Sequence, residues 1–592
     1  MNIIGISAYY HDSACALIKD GKLVCAIAEE RFSRLKNDAR LPIRSFRYCL
    51  DQGDLDITDI DCIAYYEDPK KKLERQLATY RKVDDIEDFG WLDADKPIRD
   101  LREKLGYEGE IKIYDHHQSH AASSFFFSGF ENSAILTSDG VGEWTTTSFG
   151  RASGNKIELF DELRYPHSVG LLYSTITNFL GFKVLSGEYK VMGLAPYGNE
   201  IYADKIRALF DLSQEGKIHL NPRFFDFSQK YRMFTDAMVD HFELPARMPE
   251  SDLKTIHKDI AKSLQVVLEE VLLTQAKWLR SQVDSENLCM AGGVALNCVA
   301  NQKIRNSKIF ENLFVQPASG DAGSSLGAAA LAHLEISGER IERKPLKTVY
   351  LGTSYSNKEV KSLLDSLEVE YQDYSQKPEQ LLNRVVDEID GGKVIGWFQG
   401  RMEFGPRALG ARSILADPRR EDMRNQLNAM VKKREAFRPF APAILADVAG
   451  EYLEMDVESP FMVETCKVKL GFDLHAVTHV DQSCRPQTVS KINNPKFYRL
   501  LNLFFEKTGV PILVNTSFNV RGEPIVCSPL DAIRCLGNSG IDILVIEDFI
   551  VERSHLSELF TMVAGEETKR LQQAKNDSVF TKKSSDGVYT FI

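Results

Sequence analysis

Four residues of this chain have the types and spacing to hold a metal ion. In the run IYDHHQSHAASSFF, His116 and His120 stand four residues apart, so on a helix their imidazoles project from one face and can share a cation. Asp139 in LTSDGVGEW and Asp321 in ASGDAGSSLGAA each follow an apolar stretch and lead into a turn of small residues. Two imidazoles with two carboxylates suit a borderline divalent ion such as Fe(II), Mn(II) or Zn(II). A set without thiolates differs from a closed structural zinc site and leaves room for an open coordination position. The same residues also fit a histidine pair that caps a helix or packs in a core, and His117 offers a second register without the four-residue spacing to His120.

Such ligands need a frame, and the sequence contains a repeated one. Residues 2–31 and 133–164 share one order of strand, polar turn, strand, tip and strand. In the first copy NIIGIS runs into AYYHDSA, a strand through Leu17 and Ile18, the tip KDGK and LVCAIAEE; in the second, AILTS leads to DGVGEW, TTTSFGR, ASGNK and IELFDELR. Paired polar hairpins of this kind aim backbone N–H groups into one cleft, which is how the actin and sugar-kinase architecture holds ATP phosphates. Two ordinary hairpins read the same way. In AGGVALN, Gly292 and Gly293 allow close backbone approach to a ligand before a helix begins, although a tight turn at a strand end uses the same residues. Ser13, Gly292, Gly293 and Asn297 are the nucleotide-binding candidates of these turns.

An apolar stripe at 253, 256, 260, 264, 267, 268, 271 and 272 predicts a long amphipathic helix over 253–279, packed on a sheet. The charge-dense stretch 69–106 reads as a solvated surface insertion. Residues 200–250, with RFFDFSQKYRMF, read as an irregular aromatic segment lining a substrate site. The turn-rich stretch 338–378 marks the junction to a second domain, and beyond about 560 the composition becomes that of a weakly ordered tail.

Bulk properties narrow the function. A chain of 592 residues with 43% hydrophobic and 27% charged residues is globular and long enough for two or more cores. A net charge of -12 argues against a surface built for nucleic acid, so no nucleic-acid partner is expected. Ten cysteines without a C-x-x-C pair read as reduced, buried thiols. Neither a leader nor an apolar run of spanning length is present in the sequence, which predicts a cytoplasmic protein without a membrane partner.

The strings GISAYYHDSACAL, EERFSR, HHQSHAASSFF, GEYKVMGLAPYG and AGGVALN, followed by GPRALGARSILADPR, FRPFAPAIL, CRPQTV and NTSFNVRGEPIV, together resemble the O-carbamoyltransferases of nodulation-factor and antibiotic biosynthesis, the tobramycin carbamoyltransferase family. The resemblance covers residues 1 to about 555. It implies an α/β and α+β architecture: an actin-like domain of duplicated βα units over 1–350, a YrdC-like α/β domain over 378–560, and a tail over 561–592. It implies that the second domain forms a carbamoyl-adenylate from carbamoyl phosphate and ATP, with Mg(II), and that the first transfers the carbamoyl group to a hydroxyl of a small natural product. By motif position it makes His116, His120, Asp139 and Asp321 ligands of iron, and His11 the general base that deprotonates the attacking hydroxyl.

The same resemblance gives meaning to a basic cluster in an acidic chain: Arg401, Arg407, Arg412, Lys432, Lys433, Arg434 and Arg438, with Arg485 beyond. Convergent guanidinium and ammonium groups can hold a triphosphate beside carbamoyl phosphate, and the GPRALG turn can add backbone amides. A solvated basic face, or an RNA patch with Phe404, Phe437 and Phe440, fits the bare composition as well. Motif position assigns Arg407, Arg412, Lys432, Arg438, Arg485, Asn515 and Ser517 to the carbamoyl phosphate and adenylate pocket, the last two as neutral partners for the amide. Because the adenylate is labile in water, a closed route between the two sites is expected. The alternatives are a tRNA threonylcarbamoyl-adenosine type enzyme and a nonenzymatic actin-like ATP-binding protein. An isologous homodimer is the default assembly.

Overall fold

The computed structural model describes residues 1–79, 92–229, 231–432 and 437–556, apart from the side chains at 430 and 432. Lys433, Arg434, the side chain of Lys432 and the segment 561–592 lie outside the described residues. The described residues divide into two compact units: Met1–Glu29 with Asn37–Leu346, and Glu30–Lys36 with those from Lys347 to Leu556.

The first unit holds two five-stranded sheets. One comprises β1 (Asn2–Ser7), β2 (Ala14–Lys19), β3 (Lys22–Ala28), β4 (Cys62–Tyr65) and β5 (Glu110–Ile113), in the order β3-β2-β1-β4-β5. The other comprises β6 (Asn132–Ser138), β7 (Thr145–Ser153), β8 (Lys156–Arg164), β9 (Asn287–Ala291) and β10 (Asn312–Val315), in the order β10-β9-β6-β7-β8. In each sheet the first three strands of the chain are antiparallel and the last two join the first in parallel. The repeat legible in 2–31 and 133–164 therefore extends to the whole of each sheet, the duplicated α/β plan expected of an actin-like domain. At the first tip, Asp20 and Gly21 both take positive φ, 49° and 72°, the backbone that a two-residue hairpin turn requires.

A helix follows the last strand of each sheet: α1 (His116–Ser128) after β5 and, after β10, α3 (Asp321–Ser337). The long helix between them in sequence, α2 (Thr255–Gln282), buries Ile260, Leu264, Val267, Leu268, Val271 and Leu272. Its Trp278 ring stands edge-on to Phe149 of β7 at 4.8 Å, so it packs on the second sheet as its stripe predicts. The helices α1 and α3 cross unusually closely because their contact faces are glycine, alanine and serine. A Cβ added at Gly327 would lie 1.8 Å from the Ser119 carbonyl oxygen, and one at Gly5 of β1 would lie 1.9 Å from the Ser325 carbonyl oxygen. In the 200–250 segment Phe224, Phe225, Phe227, Met233 and Phe234 are buried, and Phe179 stacks on Phe234 and Phe242. These aromatics form a local core, while Ile201, Leu212, Tyr231 and Met248 of the segment are exposed.

The second unit is built on an eight-stranded mixed sheet of β11 (Gln372–Asp373), β12 (Ile395–Phe398), β13 (Arg412–Ala416), β14 (Ala441–Leu445), β15 (Gln487–Val489), β16 (Ile512–Ser517), β17 (Ile543–Ile546) and β18 (Phe549–Glu552), ordered β11-β18-β17-β12-β13-β16-β14-β15. Helices Pro378–Asp390 and Pro495–Thr508 cover one face through Leu381, Val385, Phe497 and Leu501. Helices Asn357–Ser366 and Pro529–Asn538 cover the other through Val360, Leu364, Ile533 and Leu536. The ten cysteines are buried thiols. Among the described residues, no helix is long and apolar enough to cross a membrane.

If the crossing of α1 and α3 sets the frame, Gly327→Ala forces backbone apart. Denaturant unfolding is expected to show a loss of about 3 kcal/mol or more, whereas Gly193→Ala, in the helix Glu188–Leu194 and with an added Cβ that meets nothing within 4 Å, costs no stability and gains up to about 1 kcal/mol.

Candidate metal centre

His116 is the first residue of α1 and Asp321 the first of α3, so the close helix crossing brings two helix N-termini together. Asp139 follows β6 directly. One ligand atom each from His116, His120, Asp139 and Asp321 falls within 4.8 Å of the others, and all four residues are buried. His116 Nε2 lies 3.0 Å from His120 Nε2 and 3.1 Å from Asp139 Oδ2. His120 Nε2 lies 3.4 Å from Asp139 Oδ2, and Asp321 Oδ1 stands 3.7 Å and 3.8 Å from the two imidazoles. Ligands about 2.1 Å from one tetrahedral ion are about 3.4 Å apart, so the spacing suits a single cation. The donor set fits too, since Asp321 has no solvent exposure and neither of its oxygens is hydrogen-bonded. His117 is excluded from the set: its Nδ1 faces the Thr137 hydroxyl at 2.7 Å, and burial, followed by the neighbouring imidazoles, holds it well below the usual histidine range.

Electrostatics agree with the geometry. Burial opposes charge on His116, yet Asp321 and Asp139 prevail and raise it to about 9. Burial pushes Asp321 up, against the pull of His11 and His116. Burial also works to raise Asp139, but hydrogen bonds from His116 and His120 hold it well below the ordinary carboxylate range.

The supporting residues were mostly not singled out by sequence reasoning. Glu143 Oε1 accepts from the backbone N–H of His116 at 2.9 Å and of Asp68 at 2.7 Å, which caps α1 and fixes its first turn. Ser324 Oγ lies 3.1 Å from His120 Nδ1. Gly142 lies flat on the His116 ring, since a Cβ there would come within 2.9 Å of it. The reading of 69–106 as a solvated insertion needs correction at its first helix, while residues 80–91 of it lie outside the described residues. In its helix Pro69–Thr79, Lys72, Arg75 and Gln76 are buried, and Lys72 Nζ pairs with the buried Glu67 at 2.6 Å. A charged side chain that lines a buried site has the same sequence signature as one in water.

His11 joins the cluster. Its Nε2 lies 3.7 Å from Asp321 Oδ2 and its Nδ1 lies 3.0 Å from Asp12 Oδ2. Burial opposes its charge, but Asp321 and Asp12 raise it to about 10. The nucleotide candidates divide. Gly292, with φ 93°, lets the turn pass over Ser138, whose carbonyl oxygen would lie 2.2 Å from an added Cβ. Gly293 spends its N–H on Asp139 Oδ1 at 2.9 Å, so this amide orients a candidate metal ligand. Asn297 caps helix Cys298–Asn306 by accepting from the Ala300 N–H at 3.0 Å, and its amide pairs with Gln265. Its polar atoms serve the fold, a correction to its assignment as a nucleotide contact. The Ser13 hydroxyl is buried without a hydrogen-bond partner.

The second unit separates its candidates as well. Arg412 has no exposure and stacks 3.5 Å from the Phe398 ring centroid. Its Nη1 and Nη2 donate to the carbonyl oxygens of Gln399, Gly400, Ala411 and Thr353 at 3.0 to 3.2 Å. These bonds brace the loop, while the Arg412 Nε is buried without a hydrogen-bond partner. At the end of the GPRALG turn and just beyond it, the backbone amides of Leu409, Ala411 and Arg412 donate to the buried Glu403 Oε1. Asn515, on β16, donates to Gln487 Oε1 at 2.7 Å and keeps a buried Oδ1 without a partner. Ser517, two residues on, donates to Asn519 Oδ1 at 2.8 Å. Arg407 and Arg438 are half-buried. Arg485, also half-buried, stands just before β15 with its Nε buried and unpartnered. Nothing is described of the Lys432 side chain.

Against known proteins, the profile of the carbamoyltransferase N-terminus matches residues 2–330 and that of the carbamoyltransferase C-terminus matches 386–553. The chain belongs to the carbamoyltransferase family. This carbamoyltransferase is 44% identical to an uncharacterized Synechocystis protein over 93% of its own length and 97% of that protein's. It is 38% identical to the nodulation protein NolNO of Sinorhizobium fredii over 92% of its length and 80% of the relative's. To the 3'-hydroxymethylcephem-O-carbamoyltransferase of Amycolatopsis lactamdurans it is 27% identical, covering 92% and 98%. The crystal structure of T. kodakarensis HypF aligns at 13% identity with a TM-score of 0.31, over 57% of this chain and 48% of that one, a likeness too low to carry an argument.

In the metal-free carbamoyltransferase His116 holds its proton up to about pH 9, and a cation must displace it. Affinity for Fe(II) or Zn(II) should therefore rise with pH toward that value, with proton release on binding. Calorimetry in buffers of different ionisation enthalpy measures both, and a pH-independent affinity without proton release contradicts the assignment.

Proposed function

We propose that this carbamoyltransferase is an ATP-dependent O-carbamoyltransferase with an iron(II) centre, acting on a hydroxyl of a small-molecule natural product. The observation that carries the reading is the convergence of His116, His120, Asp139 and Asp321 on one buried point, with His11 beside Asp321. A divalent ion there would supply Lewis-acid polarisation and positive charge close to a phosphate or carbonyl oxygen.

The second unit, read as YrdC-like, performs activation. Carbamoyl phosphate yields its phosphoryl group to water, the carbamate oxygen so freed bonds to the α-phosphorus of ATP, and pyrophosphate leaves, with Mg(II) accompanying the nucleotide. Arg485, Arg407, Arg438 and Lys432 are the cationic candidates, and the unpartnered Asn515 Oδ1 is an acceptor for the carbamoyl N–H. In the first unit the acceptor hydroxyl oxygen bonds to the carbamoyl carbon and AMP leaves. The Asp12 carboxylate at 3.0 Å holds His11 Nδ1 as the N–H, leaving Nε2 to take the hydroxyl proton. A base must start neutral, which His11 would be once a dication held by the four ligands offset the carboxylate field that raises it.

The two half-reactions are separable. Carbamoyl-phosphate-dependent exchange of label between pyrophosphate and ATP is expected from wild type. Arg485→Met should lower it about 10- to 100-fold. His11→Ala should keep the exchange and lose about 100-fold or more in transfer to sugar and aminoglycoside alcohols. Absence of exchange in reduced, iron-supplied wild type contradicts the reading.

A further inference from the structure

Of the two imidazoles in the centre, only one has its outward nitrogen satisfied. His120 Nδ1 meets the Ser324 hydroxyl at 3.1 Å. His116 Nδ1 is buried and has no hydrogen-bond partner. An imidazole that binds a cation through Nε2 carries its proton on Nδ1, and a buried N–H without an acceptor is costly. The carboxylate facing that nitrogen is Glu67, whose Oε2 stands 3.9 Å away. Glu67 is only 2% exposed and lies outside the ligand set. Its other oxygen takes a 2.6 Å hydrogen bond from Lys72 Nζ, which anchors the carboxylate from the far side. Gly142 packs on the His116 ring, and the Tyr66 ring lies 5.3 Å from it, so the imidazole has little freedom to turn elsewhere.

We propose that Glu67 is a positioning residue of the metal centre: it accepts the Nδ1–H of His116 when Nε2 holds the cation, and so fixes the tautomer and orientation of that ligand. A movement of about 1 Å brings the pair to hydrogen-bond distance. The carboxylate also raises the basicity of the ligating nitrogen. Lys72 holds Glu67 in place, which gives the buried charged helix a purpose that its composition does not suggest. The inference rests on the metal reading of the site.

The test is anaerobic titration of the full-length apo-protein with Co(II), read by calorimetry and by visible d–d absorption. Wild type should bind one ion. Glu67→Ala should bind about 10- to 100-fold more weakly, with a shifted d–d spectrum and an apo melting temperature like wild type. Glu67→Gln, which preserves packing and a neutral acceptor, should lose less, and it decides the matter if the alanine variant does not fold. Wild-type affinity and spectrum in Glu67→Gln and Glu67→Ala overturn the role of Glu67 alone, as does an affinity loss that merely tracks a lowered melting temperature. Failure of wild type itself to bind Co(II) overturns the metal reading beneath it.

Discussion

Asp321 is a carboxylate with no exposure, both oxygens lack hydrogen bonds, and a second buried carboxylate, Asp139, shares its cluster. Burial of that much negative charge is stable only against positive charge or ordered donors. In the metal-free protein the imidazoles of His116 and His11 supply part of it by holding protons to about pH 9 and 10. The N-terminus of α3 adds a favourable dipole at Asp321. A divalent cation meets the same demand with better geometry, because it is attracted to all four ligands at once.

The rest of the first unit follows from that requirement. Two equivalent sheets each deliver a helix, and the helix starts converge only because Gly327 and Gly5 let backbones approach to distances that a side chain forbids. Gly142 and Gly293 do the same locally for His116 and Asp139. Glycines that look like nucleotide-loop residues in the sequence thus spend their freedom on placing ligands. The cluster is compatible with phosphate chemistry next to it, and its four inner side chains could hold one cation.

How much was legible follows from which signals are local. The i,i+4 spacing of His116 and His120, the strand-turn-strand order of the hairpins and the stripe of α2 are local properties, and the structure reproduces them. Arg412 shows where legibility ends. A guanidinium fork binds carbonyl oxygens as readily as phosphate, so a motif full of arginine does not say which ones face a ligand. Asn297 is similar, since a helix cap and a nucleotide contact use the same side-chain amide. Glu67 and Glu143 were invisible for a different reason: each acts on His116 from far along the chain, at separations of 49 and 27 residues. The aromatic residues around 224–234 pack on one another as a local core, and a cluster of this composition has the same sequence signature as one that lines a substrate site.

The central claim is that one cation is shared by four side chains. Crystals of protein reconstituted anaerobically with Fe(II), measured on both sides of the iron absorption edge, test it most directly. The account predicts a single anomalous peak within about 2.3 Å of His116 Nε2, His120 Nε2 and a carboxylate oxygen of both Asp139 and Asp321. An anomalous peak elsewhere, or none at this position in iron-loaded protein, contradicts it.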